Sequence, residues 1–537
     1  MKQGNTYINL ASVLKECTSR SEADTFSKAT LHGQIDDIYR KKKPVLLEDV
    51  LKPEEGQEEV KLLLVEGAPG IGKSTFAWEL CRKWHILQAM QKYSLVVLLR
   101  FREIRVQQAS KITDLFYHSD TSLQQAVAEE VSVKEGAQTL LILDGFDEAF
   151  ESVKSNPFLV DILQGKCLSN ATLIVTSRPS VRAQLLSLCG AQVSKHVEIL
   201  GFLDDQIRQY VDSTFRDNPG LRHEFLKYIS THPPIRNMMY IPFSCTIVAE
   251  VYRANKATGR PIPRTMTQLY TDLTLAILGR YKSRQHDQPP DLLPDSLDRL
   301  PKDLDAQLHN LAELAFQGIV KQKVIFPCLP DNCSPLDLMN ASAELYMGRN
   351  ARVSYSFLHL TLQEFLAAVH DRPSLLPTAQ KNVFEHYSGR KAYPNMDIVW
   401  RFVAGLTGFR SIGWDVVMAR RGRDQLGQIL PFLVECLYET QKGALCQDTL
   451  GEGNVRFDSQ MASCSLFTFF AVGYCVSASR CSWNLDLSRN SFGSDGAEML
   501  VCGLNSREEV HGIISELDLS HSPIKREGIA YLKQIPA

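Results

Sequence analysis

Several features that would narrow the function of this chain at once are missing from it. No run of its 537 residues is apolar for the roughly 20 positions a bilayer span needs; the longest strongly apolar stretch, Ser465 to Ala478, is shorter. The N-terminus, MKQGNTYINLASVLKE, has no apolar core of a secretory leader. The 13 cysteines show no paired spacing, and no histidine cluster lies beside the closest pair, Cys328 and Cys333. That excludes a disulfide scaffold and a zinc ribbon. Charge of one sign is lacking too: 59 basic against 61 acidic residues leaves −2. The chain as a whole is therefore no polyanion binder, and no specific nucleic acid is expected. Odd, unpatterned thiols suit a reducing compartment, so a cytoplasmic protein without a membrane span is the expectation.

What is present is ordinary globular material, 44% hydrophobic and 22% charged, enough for three or four domains of about 150 residues. The informative stretch is KLLLVEGAPGIGKSTFAWELCR, residues 61–82. Its apolar start predicts a buried parallel strand. Gly67, Ala68, Pro69, Gly70, Ile71, Gly72, Lys73 and Ser74, followed by Thr75, match a phosphate-binding loop at every fixed position. The glycines let backbone N–H groups turn toward phosphate oxygens, and the helix starting near Lys73 adds its positive end. Lys73 would reach the terminal phosphates, and the Ser74 hydroxyl would sit on a magnesium ion. Phe76, Ala77, Leu80, Cys81 and Trp84 recur at helical spacing, giving the helix one face to bury.

Further strands are expected at Ser94–Phe101, Thr139–Leu143, Thr172–Thr176 and His196–Leu200, alternating with helical segments. That alternation predicts a doubly wound α/β nucleotide-binding domain with a parallel sheet. Asp144 ends the strand in TLLILDGFDEAF, where a magnesium ligand is needed. Asp147 and Glu148 follow as candidates to orient or deprotonate an attacking water; acids at a helix N-terminus explain Glu148 as well. In TLIVTSRPSV, Thr176, Ser177 and Arg178 share the same sheet edge, so Arg178 is placed to sense the terminal phosphate.

Beyond Gly201 the pattern turns helical. Asp204 looks like an N-cap, Phe243 opens a buried helix, and Leu304–Ile319 form another. Residues 286–301 are a proline- and aspartate-rich connector. VSYSFLHLTLQEFLAAVH, residues 353–370, reads as one helical signature with Leu358, Leu362, Phe365, Leu366 and Val369 on a stripe and His359 near its start; on spacing alone such a histidine is usually structural. Residues 375–480 read as apolar helical scaffold. The basic run Arg40 to Lys43 fits a solvated helix end, with phosphate or acidic lipid as the alternative. LDLSRNSFGSDGAEML (485–500) aligns with LDLSHSPIKREGIAYL (517–532), a leucine-rich repeat with Asn490 as turn residue and Ser522 in its place in the second unit. Two such units cannot bury a core alone.

These motifs, in this order, resemble those of NACHT-domain proteins of the NOD-like receptor family, within the signal-transducing ATPases with numerous domains. GAPGIGKST resembles the family's phosphate loop, LLILDGFDEA its magnesium strand, TSRP its sensor arginine, and FLHLTLQEFLAA its winged-helix signature. The resemblance implies ATP or ADP with Mg²⁺ as ligands, Pro242 on the adenine side, and His359 on the β-phosphate of ADP. It implies an arm (1–45) without a recognisable effector domain and a NACHT domain (46–200). A helical domain (201–290), a winged helix (291–372), a second helical domain (373–480) and short repeats (481–537) would follow. The activity implied is a switch in innate immune or stress surveillance, closed with ADP and self-associating, or associating with other NACHT proteins, on exchange. Slow ATP hydrolysis would reset it. A protein or pathogen-derived ligand would be met by the helical and repeat region. The missing effector module leaves open an effector-less scaffold or modulator of longer relatives; a constitutive P-loop ATPase or kinase would need an acceptor pocket and lid that the sequence does not display.

Overall fold

In the computed structural model, the apolar run ahead of the glycine loop is a strand covered on both faces. Leu62 and Leu64 enter one hydrophobic core, Leu63 and Val65 a second. Only a sheet between two helical layers offers that environment. The structure describes residues 8, 10–14, 43–53, 59–67, 70–87, 92–101, 103–116, 121–190, 193–236, 238–286, 296–321, 323–324, 326, 328–344, 352–370, 397–408, 426–450, 454–458, 464–488, 492–507 and 510–535. They divide into two units. The first comprises the N-terminal strand, His32–Pro219 and Met239–Cys245; the second comprises Gly220–Met238 and Thr246–Ala537.

The sheet of the first unit is built from β1 (Ala11–Leu14), β2 (Leu62–Gly67), β3 (Leu95–Arg100), β4 (Thr139–Asp144), β5 (Thr172–Ser177) and β6 (Val193–Gly201). Their order is β1-β6-β2-β5-β4-β3. β2 to β6 run parallel, as the alternation of strands with helical segments predicts. Helices α1 (Lys73–Leu87), α2 (Thr121–Val133), α3 (Pro157–Leu163) and α4 (Arg182–Cys189) connect them, and α5 (Asp204–Thr214) follows β6. Phe76, Ala77 and Leu80 of α1 fill one core; Leu159 of α3 and Leu185 of α4 fill the other. α3 starts where its sequence dictates: the Asn156 side-chain Oδ1 accepts from the Phe158 and Leu159 N–H groups, and Pro157 needs no partner for a missing donor. Asp204 is the first helical residue of α5 rather than its cap. Leu203 holds the cap position, with its N–H donating to Gln206 Oε1 at 2.7 Å.

The arm contributes a strand that the sequence pattern did not disclose. β1 pairs antiparallel with β6, and residues 43–45 close its other side: Leu14 N–H donates to Lys43 O at 3.0 Å and Ser12 Oγ to Val45 O at 2.6 Å. Lys43 is exposed; Arg40 to Lys42 lie outside the described residues.

The second unit is mainly helical: α6 (Pro219–Thr231), α7 (Pro242–Thr258), α8 (Met266–His286), α9 (Lys302–Val320), α10 (Leu360–His370), α11 (Asp397–Thr407), α12 (Leu426–Thr440) and α13 (Gly443–Leu450). The first residues of α6 and α7 count with the first unit. α9 and α10 pack beside an antiparallel hairpin, β7 (Met339–Glu344) and β8 (Arg352–Phe357). Residues 353–357 are therefore strand, not helix; the alternation of V-S-Y-S-F is a period-2 pattern. Leu362 to Val369 are buried on every face, so α10 has no solvent side. The centre of the connector, 287–295, lies outside the described residues.

The repeat ladder has three parallel strands rather than two: β9 (Asn454–Asp458), β10 (Ser482–Asp486) and β11 (Ile513–Asp518). Phe457, Leu485 and Leu517 are in register, each followed by aspartate. Helices α14 (Leu466–Ala478), α15 (Gly493–Leu504) and α16 (Arg526–Leu532) follow the respective strands. α14 is buried along its whole length, which accounts for the long apolar run without a membrane. No described helix is long and apolar enough to cross one. Ser522 Oγ donates to Leu487 O at 2.7 Å, tying one repeat turn to the previous one; Asn490 lies outside the described residues.

Candidate functional site

β2 ends at Gly67 and α1 begins at Lys73, so the loop between them opens at the carboxyl edge of the sheet, beside β5. A parallel sheet gathers ligand-binding loops at that edge. Gly70 and Gly72 both hold positive φ, 71° and 104°, a backbone region closed to most side chains. Ile71, between them, is buried against Gly67, Ile199 and Gly201. It anchors the loop from beneath. Ser74 and Thr75 are exposed at the start of α1, open to a ligand; Ala68 and Pro69 lie outside the described residues.

Lys73 Nζ donates to Gly67 O at 2.8 Å. Burial lowers its pKa from the usual lysine range to about 8, against the opposing pull of Asp147, Asp144 and Glu148. A half-buried ammonium held at the root of the loop is placed to meet phosphate oxygens, which favour its charged form.

Asp144 ends β4 almost fully buried, and Thr176 Oγ1 donates to its Oδ1 at 2.6 Å. Thr176 Oγ1 also accepts the Gly145 N–H at 2.9 Å. Thr176 thus fixes the turn after β4 and the carboxylate together. The order of strands brought it to this edge; its pairing with Asp144 is a contact between neighbouring strands that the sequence does not display. Asp147 stands on the next turn, with both oxygens on Arg178: Oδ2 lies 2.7 Å from Arg178 Nε, and Oδ1 accepts the Arg178 N–H at 3.1 Å. Glu148 is exposed beside them. Lys73, Asp144, Asp147, Glu148 and Arg178 are therefore assembled at one sheet edge, as their positions in sequence required.

Magnesium takes one or two carboxylates and keeps much of its water. Asp144 at a strand end and the exposed Ser74 hydroxyl at a helix start fit that donor set, with the Asp144 carboxylate already oriented by Thr176.

Two contributions were not visible in the sequence. Leu10, just before β1, lies against Gly72: a Cβ there would fall 2.8 Å from Leu10 Cδ1. Gly201, at φ 103°, lets the Tyr240 carbonyl approach, since a Cβ would lie 2.2 Å from that oxygen. Phe202 N–H then donates to Tyr240 O at 2.8 Å. The segment leading into Pro242, first residue of α7, is thereby pinned to β6 beside Ile71.

His359 belongs to the second unit. Its carbonyl accepts from Leu362 and Gln363 N–H at 3.1 Å each, so it caps α10. Its Nδ1 accepts the Thr361 N–H at 3.2 Å. With Nδ1 an acceptor, the neutral ring carries its proton on Nε2, a donor of the kind a phosphate oxygen accepts.

Residues 61–218 match the model of the NACHT domain. Among curated proteins, the chain is 23% identical over 526 residues to the human NACHT, LRR and PYD domains-containing protein 12, covering 88% of this chain and 47% of that protein. It is 26% identical over 350 residues to mouse NACHT, LRR and PYD domains-containing protein 3, covering 60% of this chain and 32% of that protein. Human Protein NLRC5 is 28% identical over 349 residues, with 61% and 17% covered. The chain thus spans half or less of the length of these relatives. A solved structure of the Aeropyrum pernix ORC1 protein in complex with DNA overlays 63% of this chain and 91% of its own at 11% identity, with a TM-score of 0.30, too loose a match to argue from.

Proposed function

We propose that this chain, a NACHT-domain P-loop protein related to the NOD-like receptors, is a nucleotide-governed signalling switch, held closed by ADP and opened to self-association by exchange for ATP. The observation that carries the reading is the convergence of Lys73, Asp144, Asp147 and Arg178 at the edge where the phosphate loop opens.

The residues divide the work. Loop N–H groups and Lys73 hold the phosphates. Ser74 and Asp144 would hold magnesium, which when bound offsets phosphate charge. Arg178 is engaged with Asp147; a terminal phosphate competes for that guanidinium, and the carboxylate so released can orient a water. Arg178 thereby separates ATP from ADP. Glu148 is the second candidate for the water. Pro242 borders the adenine side, and His359 donates from Nε2 to the β-phosphate of ADP, closing the second unit onto the nucleotide. For such a switch, ADP must favour the closed state by several kcal/mol; tight but equal binding shifts nothing. Slow hydrolysis resets the system, and the setting is innate immune or stress surveillance in the cytoplasm, with other NACHT proteins as further partners.

The test is the nucleotide retained by purified protein, released by denaturation and separated by chromatography. Stoichiometric ADP in the wild type, lost or exchanged faster in His359→Ala, is expected, with growth in particle size after ATP addition. Equal retention in both proteins removes His359 from the switch.

A further inference from the structure

Directly behind the phosphate-binding machinery lies a cluster of heavily buried ionisable side chains. Glu66, the residue before Gly67, is 0% exposed, Glu198 1%, His196 2% and Arg182 7%. Water therefore screens none of them appreciably, and each must be balanced by the others. Glu66 Oε2 lies 2.9 Å from His196 Nε2 and Oε1 3.7 Å from Arg182 Nε. In the sheet, Glu66 stands in register between Glu198 of β6 and Ser177 of β5.

The placement of this group is what gives it a role. Glu66 is the last side chain before the loop whose first carbonyl, Gly67 O, holds Lys73. Ser177, its neighbour on β5, immediately precedes Arg178. Arg182 begins α4, at the end of the short turn Pro179–Val181 that leaves Arg178. Glu66 thus connects the root of the phosphate loop to both ends of the segment that carries the arginine, through its strand pairing with Ser177 at one end and its carboxylate beside Arg182 at the other.

We propose that Glu66, with Arg182 and His196, is a positioning strut that fixes Arg178 relative to the phosphate loop, and that it sets the discrimination between nucleoside triphosphate and diphosphate without touching either. The proposal deepens the switch reading and rests on Arg178 being the group that meets the terminal phosphate. Removing the Glu66 charge leaves Arg182 buried without its anion, so the turn relaxes and Arg178 loses its register. Loop contacts common to both nucleotides are kept. The signature is a change in the ratio of the two affinities rather than a uniform loss.

The experiment measures ADP and ATP dissociation constants for the full chain by titration calorimetry with magnesium, in wild type, Arg178→Ala, Glu66→Gln and the double variant. Arg178→Ala is expected to change the ATP-to-ADP ratio about tenfold, the worth of one charge-assisted hydrogen bond. Glu66→Gln should reproduce most of that change, and the double variant should match Arg178→Ala alone, since both act through one group. Equal weakening of both nucleotides in Glu66→Gln, or additive effects in the double variant, overturns the strut. An unchanged ratio in Arg178→Ala refutes the terminal-phosphate reading instead. Crystal structures of wild type and Glu66→Gln then judge the strut separately: an Arg178–Asp147 pair kept in both overturns it, and loss in the variant alone sustains it. Arg182→Met replaces Glu66→Gln if the latter fails to fold.

Discussion

Both units bury charge, but they do so for different ends. In the first, the ions of the candidate site stand at strand termini: Glu66 behind the loop, Asp144 at the end of β4, Asp147 just after it, Arg178 after β5. In the second they stand between helices. Glu439 Oε2 accepts both the N–H and the hydroxyl of Thr267, at 2.9 and 2.6 Å, joining α12 to the start of α8. Glu435 Oε1 accepts from Thr468 Oγ1 at 2.6 Å, joining α12 to α14. Arg401 of α11 lies 3.5 Å from Glu435 and 3.9 Å from Glu439, with its guanidinium 4.5 Å from the Phe467 ring centre. Sheets deliver polar groups to an edge where a ligand can use them. Helix layers enclose them, and their only reward is a fixed arrangement of helices.

If that contrast is right, breaking the helical network should unfold without touching nucleotide affinity. Glu439→Ala leaves the Thr267 N–H and one side of Arg401 unpaired in a dry interior. A loss of about 3 kcal/mol is expected in chemical denaturation of the second unit, with ADP affinity of the remaining folded protein unchanged. A nucleotide affinity that falls with stability would show the two kinds of buried charge to be one network, and the contrast would be wrong.

A smaller effect sharpens the other side. Lys73 is held at a pKa of about 8 by burial, whereas an unfolded lysine titrates near 10.4. Between these values the unfolded chain binds more protons, so the nucleotide-free fold gains stability as pH rises through this window. Nucleotide affinity moves the opposite way, because phosphate needs the ammonium. ADP should bind about tenfold more weakly at pH 9 than at pH 7, and Lys73→Arg, which keeps its charge, should flatten the profile whatever its own affinity. A flat wild-type profile would mean that Lys73 does not titrate there.

How much of this was legible follows the same division. Of the five parallel strands, β2 to β5 were readable because each holds a continuous apolar run, while β6, interrupted by Lys195, His196 and Glu198, was readable from the alternation of strands with helices; their ends fall within a few residues of expectation. Asp144, Asp147 and Arg178 were readable because strand order alone carries residues to the sheet edge. β1 was not: four residues in a mixed arm hold no periodicity long enough to separate from noise, and its partner β6 is remote in sequence. The same is true of Glu66 with His196, and of Leu10 against Gly72. β8 was misjudged because the strongly helical run from Leu360 outweighed five alternating residues before it. β9 was missed because Phe457 stands where the later repeats have leucine, although Asp458 repeats Asp486 and Asp518.

The smallest expected effect lies where that missed repeat continues. α14 starts with a reciprocal cap: Ser465 Oγ accepts the Thr468 N–H at 3.1 Å, and Thr468 Oγ1 accepts the Ser465 N–H at 2.9 Å. A fully buried helix has no water to satisfy its first donors, so the cap does that work. Thr468 also donates to Glu435, which gives the cap a link to α12 that a surface helix would lack. Ser465→Ala removes one acceptor while leaving Thr468 and Glu435 in place, and should cost about 1 kcal/mol in denaturation. Thr468→Val, which removes the shorter of the two hydroxyl bonds to Glu435 Oε1 (2.6 Å, against 3.4 Å from Ser465 Oγ), should cost more, and the difference between the two variants compares those bonds to α12. Equal losses would make the Glu435 contact inert, and the helical network would then rest on Arg401 and Glu439 alone.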